Sequence, residues 1–125
     1  MCIRDRWGDG EQTRSFLYID ECIEATRRLM DSDFIGPVNI GSEEMVTINQ
    51  LVDTAAKVAG KNISKEHIDG PLGVRGRNSN NDLIREKLGW DYSQTLEEGI
   101  RKTYGWISWE ASKEIINEAS STVVV

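Results

Sequence analysis

The spacing of apolar and polar positions sets out the elements of the chain. Residues 13–19 alternate with period two, with Arg14, Phe16 and Tyr18 on one face and Leu17 and Ile19 on the other. That pattern predicts a strand. The period then changes. Ile19, Cys22, Ile23, Thr26, Leu29 and Met30 recur at helical spacing, behind Asp20 as an N-cap and with Glu21 and Glu24 in the first turn. This predicts a helix ending near Asp31, its stripe turned to the core. Residues 37–41 read as a short strand closed by glycine. Thr47 and Gln50 have the spacing of a capping box before the stripe Ile48, Leu51, Val52, Ala55, Val58 and Ala59, and Gly60 stops that helix. Residues 63–68 are a weaker strand. Another helix is predicted from about Asn81 to Leu88. A last, long one opens at Thr95 and carries Leu96, Ile100, Tyr104 and Ile107 on one side, its pattern fading from Ser108.

Short strands alternating with about four helices predict an α/β fold. The run Trp7-Gly8-Asp9-Gly10 reads as a strand end and a hairpin turn. Residues 1–6 have no period and link to no strand; they read as a leader foreign to the fold. The domain is taken as 7–118, with a loose tail over 119–125.

A chain of 125 residues is one domain or part of one, long enough to bury a real core. No apolar run approaches the roughly 20 residues of a membrane span, and no signal-peptide pattern appears. Two cysteines, Cys2 and Cys22, provide neither a disulfide framework nor metal spacing. The expected compartment is the cytoplasm. A net charge of −6 argues against a nucleic-acid surface, but a local pocket of specific arginines for one small anion is compatible with it.

Two stretches supply such arginines. Gly73-Val74-Arg75-Gly76-Arg77-Asn78-Ser79-Asn80-Asn81-Asp82 carries two arginines into a helix start. Guanidinium groups fit two phosphate oxygens at once, and glycine lets backbone approach a ligand. Taken alone, this stretch reads more simply as a solvated loop that caps the next helix. Arg14 sits inside an otherwise apolar strand beside two aromatics. Its charge needs either an internal acid or an anionic ligand, and the sequence leaves both open.

Other motifs carry less. Residues 70–76 match G-x-x-G-x-x-G, but a dinucleotide fingerprint follows a buried strand and opens a helix directly. The preceding Ser64-Lys65-Glu66-His67-Ile68-Asp69 is too polar for such a strand. His67 has no nucleophile or metal partner at close spacing. None of Tyr18, Tyr92 and Tyr104 has a lysine four residues on.

Four blocks in order resemble one family. They are Gly8-Asp9-Gly10-Glu11-Gln12-Thr13-Arg14-Ser15-Phe16 with Tyr18-Ile19-Asp20-Glu21, then Pro37-Val38-Asn39-Ile40-Gly41-Ser42, Lys87-Leu88-Gly89-Trp90, and Leu96-Glu97-Glu98-Gly99-Ile100. Together they resemble the C-terminal, substrate-binding portion of extended short-chain dehydrogenases/reductases, Rossmann-type enzymes that include the nucleotide-sugar epimerases and dehydratases. Within the family, Glu43-Glu44-Met45-Val46 and the arginine-bearing glycine loop are most similar to the epimerases that act on GDP-mannose and feed ascorbate synthesis.

The resemblance implies a nucleotide-diphosphate sugar as ligand, GDP-mannose in the nearest branch. It implies NAD, bound by an N-terminal Rossmann core that this chain lacks, and a homodimeric full-length enzyme. By match, Gln12, Thr13 and Arg14 touch substrate and Arg77 clamps the diphosphate, with Arg75 a weaker candidate. Many relatives place an acid three residues after the second arginine, where this chain has Asn80. The catalytic Tyr-x-x-x-Lys pair and the epimerising residues lie upstream in the family, so this piece alone is expected to be inactive. The alternatives are a fragment of another nucleotide-sugar epimerase, dehydratase or decarboxylase, and a binding module without chemistry.

Overall fold

A computed structural model describes residues 2–70 and 74–121 of the chain, with side chains over 8–70 and 74–113. The fold is mixed α/β. Strand β1 (Cys2–Trp7) pairs in parallel with β4 (Ile63–Ile68). A second sheet has the order β3-β2-β5. Its centre is β2 (Thr13–Ser15), antiparallel to β3 (Met45–Thr47) and parallel to β5 (Gly76–Arg77). The helices are α1 (Ile19–Met30), α2 (Ile48–Ala59), α3 (Asp82–Leu88) and α4 (Leu96–Ser121).

Helix α2 follows its local signals closely. Thr47 Oγ1 accepts from Gln50 N, and Gln50 Oε1 accepts from Thr47 N, so both members of the capping box are engaged. Gly60 closes the helix at φ 63°, a left-handed conformation that costs glycine little. The predicted strand at 63–68 is present as β4.

Other expectations are corrected. The strand read over 13–19 stops at Ser15, and α1 begins at Ile19 with Tyr18 in the N-cap position, so Asp20 lies in the first turn rather than capping it. Residues 37–41 form no strand. Val38 and Ile40 do pack toward the core, which explains their alternation, but no neighbouring backbone pairs with them. The strand in that part of the chain is β3, further on. The turn at Gly8-Asp9-Gly10 is not a hairpin: Gly8 N donates to Ile68 O, extending the β1–β4 ladder, and the chain then crosses to the other sheet. Residues 2–6, read as a foreign leader, form β1 together with Trp7. Helix α4 runs through Ser121, so 119–121 are helical backbone, and the rest of the expected tail lies outside the described residues. So do residues 71–73 of the glycine loop.

The buried core is small. Ala25, Ile84 and Trp90 are fully or nearly fully enclosed, with Leu17, Val38, Ile40, Leu88 and Tyr92 packed around them. It joins α1 to α3 and the segments beside them. The expected apolar stripe of α1 turns the other way: Ile19, Ile23 and Met30 are exposed, and Glu21 and Ala25 face inward. Glu21 Oε1 accepts from Ser93 N, Ser93 Oγ and Gln94 N, which ties α1 to the segment before α4. Trp106 is exposed. No helix among the described residues is long and apolar enough to cross a membrane.

Candidate functional site

The short sheet brings two distant arginines together. Parallel register places Arg14 of β2 opposite Arg77 of β5. Register partners on adjacent strands project to the same face, about 4.8 Å apart along the ladder. The close approach of β5 depends on Gly76, because a Cβ there would stand 2.8 Å from Thr13 Oγ1. Thr13 N donates to Arg75 O at 2.8 Å and starts the pairing.

Arg14 and Arg77 both line an open cleft of about 500 Å³. Its opposite walls come from two loops, one with Asn39 and Ser42, the other with Asn78 and Ser79. Arg14 is half-buried and donates from Nη1 to Thr13 O at 2.6 Å. Arg77 is exposed. Among the described residues neither arginine forms an ion pair with a carboxylate. Two uncompensated positive charges on one face repel each other, and a doubly charged anion between them relieves both.

The other sequence candidates lie elsewhere. Arg75 does not line the cleft. It pairs with Asp9 at 2.9 Å, and this contact holds the Asp9 carboxyl below its ordinary value and raises Arg75. Gln12 and Thr13 adjoin Arg14 in sequence without lining the cleft. Gln12 Oε1 is buried and has no hydrogen-bond partner among the described residues. His67 lies on β4, in the other sheet.

The sequence reading missed the groups that hold the cleft walls. Asn81, read as a helix cap, makes no capping bond; Asn80 Oδ1 accepts from Asp82 N instead. The Asn81 side chain is fully buried and bridges the two loops. Behind it, Glu43 accepts from Arg85, which also donates to Asp91. Both carboxyls are held below their ordinary values, foremost by the Arg85 guanidinium. The Asn81–Gly41 and Arg85–Glu43 contacts join residues 40 and 42 positions apart, so local spacing carries no sign of them.

A second open cleft, about 460 Å³, runs between α2 and α4 and is lined mainly by apolar groups such as Phe16, Leu51, Ile100 and Ile107. It has no charged lining and does not suit an anion. The glycine loop leads into strand β5 rather than a helix, so it lacks the strand-to-helix form of a dinucleotide fingerprint. No group of three metal-ligating side chains occurs among the described residues.

A family model described as GDP-mannose 4,6 dehydratase matches residues 4–103. GDP-mannose 3,5-epimerase of Arabidopsis thaliana is 54% identical over 110 residues, which are 88% of this chain and 29% of that protein. The chain therefore spans under a third of that relative. Among solved structures, UDP-glucose 4-epimerase of Thermotoga maritima with UDP-glucose superposes with a TM-score of 0.81 at 28% identity, over 86% of this chain and 35% of that one. UDP-glucuronic acid 4-epimerase of Bacillus cereus, in complex with UDP-glucuronic acid and NAD, has a TM-score of 0.77 at 28% identity, over 84% of this chain and 35% of that one.

Proposed function

The chain belongs to the GDP-mannose 4,6 dehydratase family, and from that membership we propose that it is the nucleotide-sugar-binding part of an NAD-dependent epimerase like GDP-mannose 3,5-epimerase. Its ligand in this reading is GDP-mannose and its compartment the cytoplasm. NAD supplies hydride chemistry when bound, and is held by a part of the protein outside this chain. The residues here bind and orient; they do not carry the reaction, and the piece alone is inactive.

One observation carries the reading. Arg14 and Arg77, far apart in sequence, occupy one register on one face, with no carboxylate partner among the described residues. A diphosphate brings about two negative charges at neutral pH, and each guanidinium offers a planar fork of donors to its oxygens. The Arg14 bond to Thr13 O limits the swing of one fork before the ligand arrives. Gln12 and Thr13 complete the proposed contacts. Gripping the phosphates fixes one end of the ligand and leaves the sugar to face the reactive groups of the rest of the enzyme.

The test is calorimetry on the intact enzyme. Arg77→Ala removes a charge-assisted contact worth about 1.5–3 kcal/mol, so GDP-mannose should bind on the order of 10- to 100-fold more weakly while bound NAD is unchanged. Arg75→Ala, already paired with Asp9, serves as the neutral comparison. Parental affinity in Arg77→Ala would overturn the reading. The solved neighbours bind UDP sugars, which favours as second reading an epimerase, dehydratase or decarboxylase of another nucleotide sugar. Titrating GDP-mannose against UDP-glucose and UDP-glucuronic acid, with product analysis, separates the two.

A further inference from the structure

Building on the reading of the cleft as a diphosphate site, we propose that Gly41, Ser79 and Asn81 set its width and are positioning residues for the Arg14–Arg77 pair. The two walls touch at one point. A Cβ on Gly41 would lie 2.6 Å from Ser79 Cβ and 2.7 Å from Ser79 Oγ, so the loops stand as close as glycine permits. Ser79 follows Arg77 by two residues, and whatever moves Ser79 moves Arg77 relative to Arg14.

Asn81 fixes the separation. It is 0% exposed. Its Nδ2 donates to Gly41 O at 2.7 Å, its Oδ1 accepts from Ser79 Oγ at 2.7 Å, and its backbone N donates to Glu43 Oε1 at 3.0 Å. One side chain thus holds both walls, and every polar atom it has for the purpose is engaged. Asn39 Nδ2 adds an outer contact to Asn80 O at 3.4 Å. Glu43 is itself held by Arg85 at 2.6 Å, so the loop it belongs to does not yield easily. Bidentate pairing of guanidinium with phosphate tolerates little displacement. Parting the walls by most of an ångström, as a methyl group at Gly41 requires, spoils it.

The experiment uses the intact enzyme, with GDP-mannose as the probe and NAD affinity as the second readout. Gly41→Ala should weaken GDP-mannose binding about 10- to 100-fold and raise KM more than it lowers kcat, with NAD affinity kept. Adding Ser79→Gly removes both clashing atoms and should recover part of the affinity, the remainder being lost with the hydroxyl that donates to Asn81 Oδ1; adding Ser79→Ala loses the same hydroxyl, leaves the clashing Cβ and should recover none. If Gly41→Ala is insoluble, Asn81→Asp replaces it: the donor to Gly41 O is lost, and affinity should fall in the same direction.

A merely structural role predicts a different pattern, in which NAD and GDP-mannose affinity fall together. That pattern, parental GDP-mannose affinity in Gly41→Ala, or equal behaviour of the two double variants would overturn the inference. The Arg77→Ala control separates it from the reading beneath it. If Arg77→Ala weakens binding and Gly41→Ala does not, only the positioning role falls; if Arg77→Ala has no effect, both fall.

Discussion

Glu21 shows how far a residue's role can lie from its local pattern. In the sequence it is a first-turn acid suited to the helix dipole. In the fold it is 5% exposed and takes three donors from Ser93 and Gln94 on one oxygen. Truncation to Ala strands two backbone N–H groups, and a hydrogen bond to a charged group contributes about 1.5–3 kcal/mol. Glu21→Ala should therefore lower the unfolding free energy, read by urea titration, by an amount in that range, whereas a dipole role alone predicts roughly 0.3–1 kcal/mol. The same contrast runs through the site. Arg14 and Arg77 were legible because each breaks its surroundings: a charge in an apolar strand, and an arginine in a glycine loop. Gly41, Ser79 and Asn81 were not. A glycine after a short apolar run and an asparagine before a helix both have ordinary local explanations, and their contact with each other exists only once the chain has folded.

At the scale of elements, legibility follows whether the determinants are local. Helix α2 was readable to the residue, since Thr47, Gln50 and Gly60 act within one turn of their own helix end. Thr47 also ends β3 opposite Thr13 of β2, so the cap is joined to the strand that carries Arg14. Thr47→Ala should cost about 1 kcal/mol by loss of the cap, read as a lower denaturation midpoint, and Thr47→Ser should restore most of it. Strands were harder to place. A strand of two or three residues needs a partner supplied by another part of the chain, and neither β3 nor β5 has room for a period. The reverse error arose at 37–41, where Val38 and Ile40 alternate inward on the core without a partner strand. Period two records which side is buried; it does not record who is hydrogen-bonded.

At the scale of the whole molecule, a small apolar core is supplemented by charged ties. Ile19, Ile23 and Met30 on α1 stay in solvent, as do Trp106 and Trp109 on α4. With so little enclosed, the junction of α3 with its neighbouring loops leans on Arg85, bonded to Glu43 at 2.6 Å and Asp91 at 2.8 Å. Arg85 holds the Glu43 carboxyl below its ordinary 4.5 and that of Asp91 below 3.8. A carboxylate with a lowered folded value stabilises the fold above its unfolded value and loses that contribution as pH falls through the folded one. Stability should thus be flat near neutrality and decline in acid below those ordinary values. Arg85→Gln removes the cation, returns both carboxyls toward their unfolded behaviour, and should be less stable than the parent at neutral pH. Because the protonated carboxyls no longer reward the guanidinium, the gap between parent and variant should narrow progressively as pH falls below those ordinary values. The pair is partly exposed, so the neutral-pH gap should also shrink with added salt. Urea midpoints for both proteins across that range decide the matter. A gap that stays constant into acid would mean that Arg85 acts through packing of its aliphatic stem rather than through its charge.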